Sequence, residues 1–507
     1  MVPCNRRCRA SKLESNAIHW KIRPCVKQDG GPCLVCQEDM NLERQIQELQ
    51  DKRRNLLTCM NDSHDPFVLT FPPEISSHIF LLSMEHWDDD PYSGYDLFLR
   101  RLPMPFRLGT VCRGWRQLAR STPQLWKTLS FTLAKPTKSR SLEHIRNWLQ
   151  LSGHLPLTIC VASYLGGNPA SEEIYGPVID ALNQHSGRWQ KLVLRISAPY
   201  FRHFCGSSPS SNLYDLEVNN RGHLAIDGVL PTSRMNFNHS HSPTNLTINN
   251  IRLSANDIGW ANLTTLRMEH VTFNECLEAM RQAPLLESCT LSKVDFLLED
   301  VYIPRTIVRH THLRKLFLDG IPEFFVDFLD SMECPALEEF SYQWTMTNTL
   351  ADSLVLLLKR SDSRLKKLLL KCGKYDLAVV DFLNAMPSLQ HLELFWDPNA
   401  AIMEDFLHEL SSSAPILAGG TSGFLPQLRS LEFYSNSPEE TLVWKYIPDI
   451  YAWPHRKLLS MEVNIQEMRI DHDTLTRISQ LIDQGVNISI RRYWRDHTKV
   501  LLSTLST

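Results

Sequence analysis

At 507 residues the chain has room for about three folding units, or for one repeat array with additions. Hydrophobic residues make up 43% and charged residues 21%, a globular composition. The 53 Lys and Arg against 56 Asp and Glu leave a net charge of -3, which speaks against a general nucleic-acid or polyanion binder that would rely on surplus Lys and Arg.

No stretch approaches 18 consecutive apolar residues, so no helix is expected to span a membrane. The basic start MVPCNRRCRASKLESN has no apolar run behind it, which predicts no secretory signal. Thirteen cysteines, an odd number without a paired framework, then read as reduced thiols in the cytoplasm or nucleus, and sequons such as Asn262-Leu263-Thr264 as idle. Residues 1–40 hold Cys4, Cys8, Cys25, Cys33 and Cys36 among many basic residues with no apolar period. Cys33 and Cys36 make a CxxC, but the spacings fit no zinc module, and the segment reads as a disordered basic tail without metal. From 41 to 62 a polar helix follows, with Leu42, Ile46, Leu49, Leu56 and Leu57 at near-helical spacing. It has the look of a short coiled-coil arm, and the expectation is that it packs on the domain behind it.

Residues 69–85 read LTFPPEISSHIFLLSME. Pro72 and Pro73 suit a helix start, because proline presets φ and lacks the amide that would go unpaired there. Ile75, Ile79 and Leu82 then form one apolar stripe. Residues 108–131 read LGTVCRGWRQLARSTPQLWKTLSF, in which Val111, Trp115 and Leu118 share a helical face and Pro123 opens a turn carrying Leu125 and Trp126. Two tryptophans in so small a segment must fill a core or be covered by a partner.

The PPEI-x3-IF opening, the VCRGW centre and the S-x-P-x-LW close, in that order, resemble the F-box, and the wording looks most like the large F-box families of mushroom-forming fungi. The resemblance implies a small three-helix unit over 67–131 that docks on a Skp-type adaptor and, through it, a cullin. It assigns adaptor contact to Pro72, Pro73, Ile75, Ile79, Val111, Trp115, Leu125 and Trp126. The departure is an insertion at about 85–105, where Phe80 and Val111 stand 31 apart, roughly twice the usual separation; a surface loop accommodates it.

Over 140–495 the phrase LxxLxL recurs with apolar substitutions, from WQKLVL at Trp189 through LTTLRM at Leu263 and LKKLLL at Leu365 to LLSMEV at Leu458. Eleven such units stand 20 to 39 residues apart, around the period of leucine-rich repeats, with helical stretches between. The array resembles an irregular leucine-rich-repeat solenoid. The fold class expected for the whole chain is therefore α/β, a three-helix F-box followed by a curved repeat array with parallel strands inside and helices outside. The asparagine usual three residues after the last leucine of LxxLxL stands at Asn436 and almost nowhere else, so other groups or waters must satisfy the turn.

Strand alternation assigns the side chains of the open concave face. They include Arg267, Phe317, Lys367, Leu369, Lys371, His391, Glu393, Phe395, Glu432 and Tyr434. Apolar anchors among charges suit a protein-binding surface, so Arg267, Phe317, Lys367, Leu369, Lys371, His391, Phe395 and Tyr434 are the candidate contacts for a target protein. The Lys367 and Lys371 pair favours an acidic or phosphorylated partner.

No phosphate loop, HExxH, GxSxG or GxGxxG stands in the chain. Asn238-His239-Ser240-His241 reads as a loop with incidental histidines, Asp88-Asp89-Asp90 as a solvated run, and Cys289 as a small hydrophobe in a strand. No cofactor, metal, membrane or nucleic acid is expected. The reading is a non-catalytic substrate receptor of a ubiquitin ligase, with the adaptor on the F-box and the target on the repeats. The alternative is an interaction scaffold whose F-box-like helices only cap the solenoid.

Overall fold

The computed structural model describes residues 34–64, 66–84, 103–133 and, from 140 to 498, all but the longer connections and a few isolated positions. Cys4, Cys8, Cys25, Cys33, Asp88–Asp90, 238–240, Asn436 and most of the expected insertion lie outside the described residues. The chain divides into two compact units, one of residues 1–85 with 103–122 and one of 86–102 with 123–507.

The first unit is helical. Helix α1, Leu34–His64, starts seven residues before the expected boundary. Short helix α2, Pro66–Thr70, leads to α3, Pro73–Leu82, which begins with Pro72 as its N-cap and Pro73 in the first turn. Helices α4, Met104–Leu108, and α5, Arg113–Arg120, complete it. At the start of α5 the Trp115 amide donates to Cys112 Sγ at 3.4 Å, the sulfur standing where a hydroxyl or carboxylate usually caps. The core is aromatic: the Trp115 ring lies 4.9 Å from both Phe67 and Phe80, and those two stack at 5.6 Å. Leu108 and Leu118 are buried in the same unit. Val111 was expected to share a face with Trp115 and Leu118, but it precedes α5 and is 56% exposed. The helical period cannot place a residue that is outside the helix.

The second unit is α/β. Its strands are β1 Thr128–Leu133, β2 Leu157–Ser163, β3 Trp189–Ile196, β4 Asp215–Asn220, β5 Asn245–Asn249, β6 Thr265–Glu269 and β7 Ser288–Ser292. They continue as β8 Lys315–Asp319, β9 Glu339–Tyr342, β10 Lys367–Lys371, β11 His391–Trp396, β12 Ser430–Ser435, β13 Ser460–Ile465, β14 Ile488–Arg492 and β15 Arg495–Asp496. Their order in the sheet is their order in the chain, and every pair is parallel except β14 with β15. All eleven phrases lie on strands. Helices α6 Arg140–Leu151, α7 Glu172–Asn183, α8 Phe273–Gln282, α9 Pro322–Asp330, α10 Asn348–Ser361, α11 Val379–Asn384, α12 Ala400–Ser412, α13 Ile447–Ile450 and α14 His472–Asp483 connect many of them. They cover one face: Phe325 of α9 meets the Tyr342 ring of β9 at 6.3 Å, on the side where Leu316, Leu318 and Phe340 are buried. Among the described residues no helix is long and apolar enough to cross a membrane.

The sheet begins earlier than the expected 140. The 3-10 turn Pro123–Trp126 and β1, assigned from sequence to the motif ending at 131, belong to this second unit. Trp126 is 2% exposed, its ring packs edge-on to Trp148 of α6 at 5.0 Å, and its carbonyl accepts from Trp148 Nε1 at 2.7 Å. An indole needs more apolar surface than a single turn offers, and α6 supplies it. His241, expected as an incidental loop histidine, is fully buried, with its ring 5.1 Å from Phe237 and 5.8 Å from Trp189. Cys289 is buried as expected, beside Cys276 and Cys334, and burial pushes all three thiols up, keeping them protonated.

The missing asparagines have a replacement. The residue directly after β5, β6 and β7 (Asn250, His270 and Lys293) takes a left-handed conformation, with φ 55°, 52° and 48°. That turns each amide toward the next strand, where it donates to Glu269, Ser292 and Asp319 carbonyls at 3.0, 3.2 and 2.7 Å. The backbone itself thus extends the ladder by one rung, at the conformational cost that non-glycine residues bear there.

Three arginines join successive segments of this unit. Arg188 donates to the Leu155 carbonyl at 2.9 Å and Ser152 Oγ at 2.6 Å, and Arg360 donates to the Met332 and Leu329 carbonyls at 2.6 and 2.8 Å. Arg456, 1% exposed, reaches back to the Leu425 carbonyl at 2.8 Å and to that of Phe424. Each planar fork satisfies helix-end or turn carbonyls of the preceding repeat. Burial lowers the Arg456 pKa to about 10, still charged at neutral pH. Arg456→Ala is expected to lose about 2–4 kcal/mol in chemical denaturation by stranding buried acceptors. Arg456→Lys recovers only part of it, because an ammonium cannot reproduce the fork.

Candidate functional site

In the first unit the aromatic core consumes one side of α3, namely Ser76 and Phe80. The neighbouring side carries Ile75, 49% exposed, Ile79, 37%, and Leu82, 73%. Leu69, Phe71 and Pro72 before the helix, Pro73 in its first turn and Val111 before α5 are exposed as well. Soluble surfaces tolerate scattered apolar residues, but a helical stripe continued through two prolines is a concentration that points to a partner. Of the eight residues assigned to adaptor contact, Pro72, Pro73, Ile75, Ile79 and Val111 are exposed here. Trp115 is half-buried, held by Phe67 and Phe80. Leu125 and Trp126 are 0% and 2% exposed within the second unit, so they offer a partner no surface. Leu82 stood in the apolar stripe read from the sequence without being assigned to adaptor contact, and Leu69 and Phe71 were not singled out.

Among the described residues the helices lie on one side of the sheet, and strand register sets the side chains of the other face in rows. One row runs Arg267, Thr290, Phe317, Ser341, Leu369, Glu393, Glu432 and Glu462 across β6 to β13. The flanking rows place Lys367 beside His391, and Lys371 beside Phe395 beside Tyr434. At about 4.8 Å per strand, Arg267 is roughly 19 Å from Leu369. The structure therefore brings together Lys367, Leu369, Lys371, His391, Phe395 and Tyr434 on β10 to β12. Phe317 stands two strands away and Arg267 four.

Within that group Phe395 and Tyr434 stack at 3.9 Å and 7°, and Lys371 Nζ lies 4.7 Å above the Phe395 ring. The Tyr434 hydroxyl donates to Glu432 Oε2 at 3.2 Å, and burial beside Glu432 and Glu393 pushes its pKa up. Arg491 of β14 pairs with Glu462 at 2.7 Å. Burial, then the Glu432 charge, raises the Glu393 pKa, while Lys367 and Lys371 work against that rise. A row of three glutamates, Glu393, Glu432 and Glu462, runs alongside the two lysines, so the face carries both charge signs. Glu393 and Glu432 were visible as outward positions in the sequence; Glu462 was not singled out. Their adjacency was not visible, because it depends on a register across strands 39 and 30 residues apart.

No protein-family model matches the chain, and no curated protein matches it.

The Glu393 carboxyl has a higher pKa folded than unfolded, so its ionisation opposes folding at neutral pH and that opposition disappears below the unfolded pKa. Glu393→Gln is expected to raise the midpoint of thermal unfolding at pH 7 and to leave it unchanged near pH 3, where wild type is protonated in both states. Parallel melts at the two pH values check it.

Proposed function

We propose that this chain is the substrate-recognition subunit of a Skp-cullin-F-box type ubiquitin ligase, an F-box followed by irregular leucine-rich repeats. The observation that carries the reading is the exposed apolar ridge of Pro72, Pro73, Ile75, Ile79 and Val111, at positions where the motif order PPEI, VCRGW and S-x-P-x-LW assigns adaptor contact. The Phe67, Phe80 and Trp115 cluster fixes the segments bearing that ridge, so the ridge is presented without further ordering, which lowers the cost of binding. The repeat face around Phe395 and Tyr434 supplies the target site: a preformed aromatic anchor with both charge signs around it. Joining the two converts ubiquitin transfer into an effectively intramolecular event, for which this chain needs no nucleophile.

One observation favours the second reading, an interaction scaffold that binds no adaptor. Leu125 and Trp126, the close of the motif, serve the core of the repeat unit and are not displayed.

The test is co-purification of the full chain with its host's Skp-type adaptor, beside Ile75→Asp with Val111→Asp. Both side chains are exposed, so the variant keeps its fold, whereas Trp115→Ala removes a core ring and mixes folding with binding. The expected result is a stable wild-type complex weakened about 30-fold or more in the variant, as loss of about 2 kcal/mol at a binding centre implies. Absence of a wild-type complex hands the function to the scaffold reading.

A further inference from the structure

Helix α1 runs 31 residues from Leu34 to His64, and every described side chain from Leu34 to Met60 is exposed except the half-buried Thr58. A helix of that length exposed on all faces gains little from its own fold, since helical stability in proteins comes mainly from packing an apolar face. Yet α1 has such a face. Val35, Leu42, Leu49 and Leu56 fall at seven-residue intervals, and Asp39, Ile46, Arg53 and Met60 fall four residues after each. These are the two seam positions of a heptad repeat, apolar at six of eight places over roughly 38 Å of helix. Their exposures are high: Val35 76%, Leu42 52%, Ile46 56%, Leu49 63%, Leu56 65% and Met60 52%. The sequence expectation that this helix packs on the following domain does not hold for these side chains.

We infer that α1 is a self-association element whose occupant is the α1 of a second copy, laid antiparallel in a two-fold coiled coil. Two observations select that occupant and that direction. A leucine seam at strict seven-residue spacing is complementary to another helix with the same spacing, because each seam residue fills the hole between four on the facing helix. The helix also has electrical polarity. Between Leu34 and Glu48 it carries Glu38, Asp39, Glu43 and Glu48 against Arg44, whereas between Leu49 and Met60 it carries Lys52, Arg53 and Arg54 against Asp51. Laid head to tail, the acidic half of each copy faces the basic half of the other.

The seam itself distinguishes the two directions. Side by side in parallel, Asp39 would face Asp39 and Arg53 would face Arg53, like charges inside the seam. In the antiparallel register centred between Gln47 and Glu48, Ile46 meets Leu49 of the second copy, Asp39 meets Leu56, and Arg53 meets Leu42. Asp39 then stands one layer from Arg53 of the second copy, whose long side chain spans that layer. A two-fold arrangement uses the same patch on both copies and closes on itself, giving a dimer and no filament.

The experiment is sedimentation equilibrium of the full chain from about 1 to 100 μM, the range in which micromolar association shows. The wild type is expected to approach twice 58.5 kDa. Leu49→Glu with Leu56→Glu, both at exposed positions, is expected to remain a monomer with unchanged melting of the two compact units. Arg53→Asp alone and Asp39→Arg alone are each expected to weaken the dimer about tenfold or more, and the double variant to restore it. A monomeric wild type throughout the range overturns the proposal. A dimer indifferent to the leucine changes overturns the seam. Single reversals without effect, or a double variant that fails to recover, overturn the antiparallel arrangement. None of these outcomes depends on whether an adaptor binds.

Discussion

The repeat unit rests on one constraint: each repeat contributes a single strand that must find both of its hydrogen-bonding edges in its neighbours. From β1 to β14 the strands pair in chain order and in parallel, so no repeat is complete by itself and each is finished by the next. What makes this tolerable is the treatment of repeat ends. Left-handed residues after β5, β6 and β7 swing an amide into the adjacent strand, and Arg188, Arg360 and Arg456 reach back to carbonyls that helices and turns leave open. Asparagines also serve some of these turns: Asn220 Oδ1 accepts from the Ala198 amide at 3.0 Å, and Asn250 Nδ2 donates to the Asn220 carbonyl at 3.2 Å.

The same ladder produces the face proposed for recognition. A parallel sheet stacks equivalent positions, so chemistry repeated in sequence becomes a row in space. Phe395 over Tyr434, and Glu393 beside Glu432 beside Glu462, are single choices on successive strands that become a stacked pair and a charge row only through register. Burial makes those charges matter, since a half-buried glutamate next to another is less screened than one on an exposed helix. The surface is pre-organised by the backbone that also holds the fold.

The helical unit divides its apolar residues between two tasks. Phe67, Phe80 and Trp115 satisfy each other, while Ile75, Ile79 and Val111 are left outward. A unit this small cannot bury both sets, and the set it leaves exposed is the one available to a partner. Helix α1 takes this further, exposing its whole seam.

Much of the architecture was legible in the chain. LxxLxL phrases mark strands wherever they occur, because alternation and a leucine period carry local information that survives folding. Proline pairs likewise mark the start of α3, since proline acts on its own backbone. Three things depended on the tertiary structure. Trp126 and His241 were placed in the core by partners far along the chain, Trp148 and Trp189, that no local pattern points to. The stripe on α3 was recognisable as apolar, but which of two adjacent faces would be consumed was decided by where Trp115 came to rest. Lys367, Lys371 and Glu393 were all outward in the sequence, but only register set Glu393 on the strand beside the lysines. Local periodicity determines which residues are strand, helix and apolar face; only the folded register determines which charges and rings become neighbours, because those distances cross tens of residues of chain.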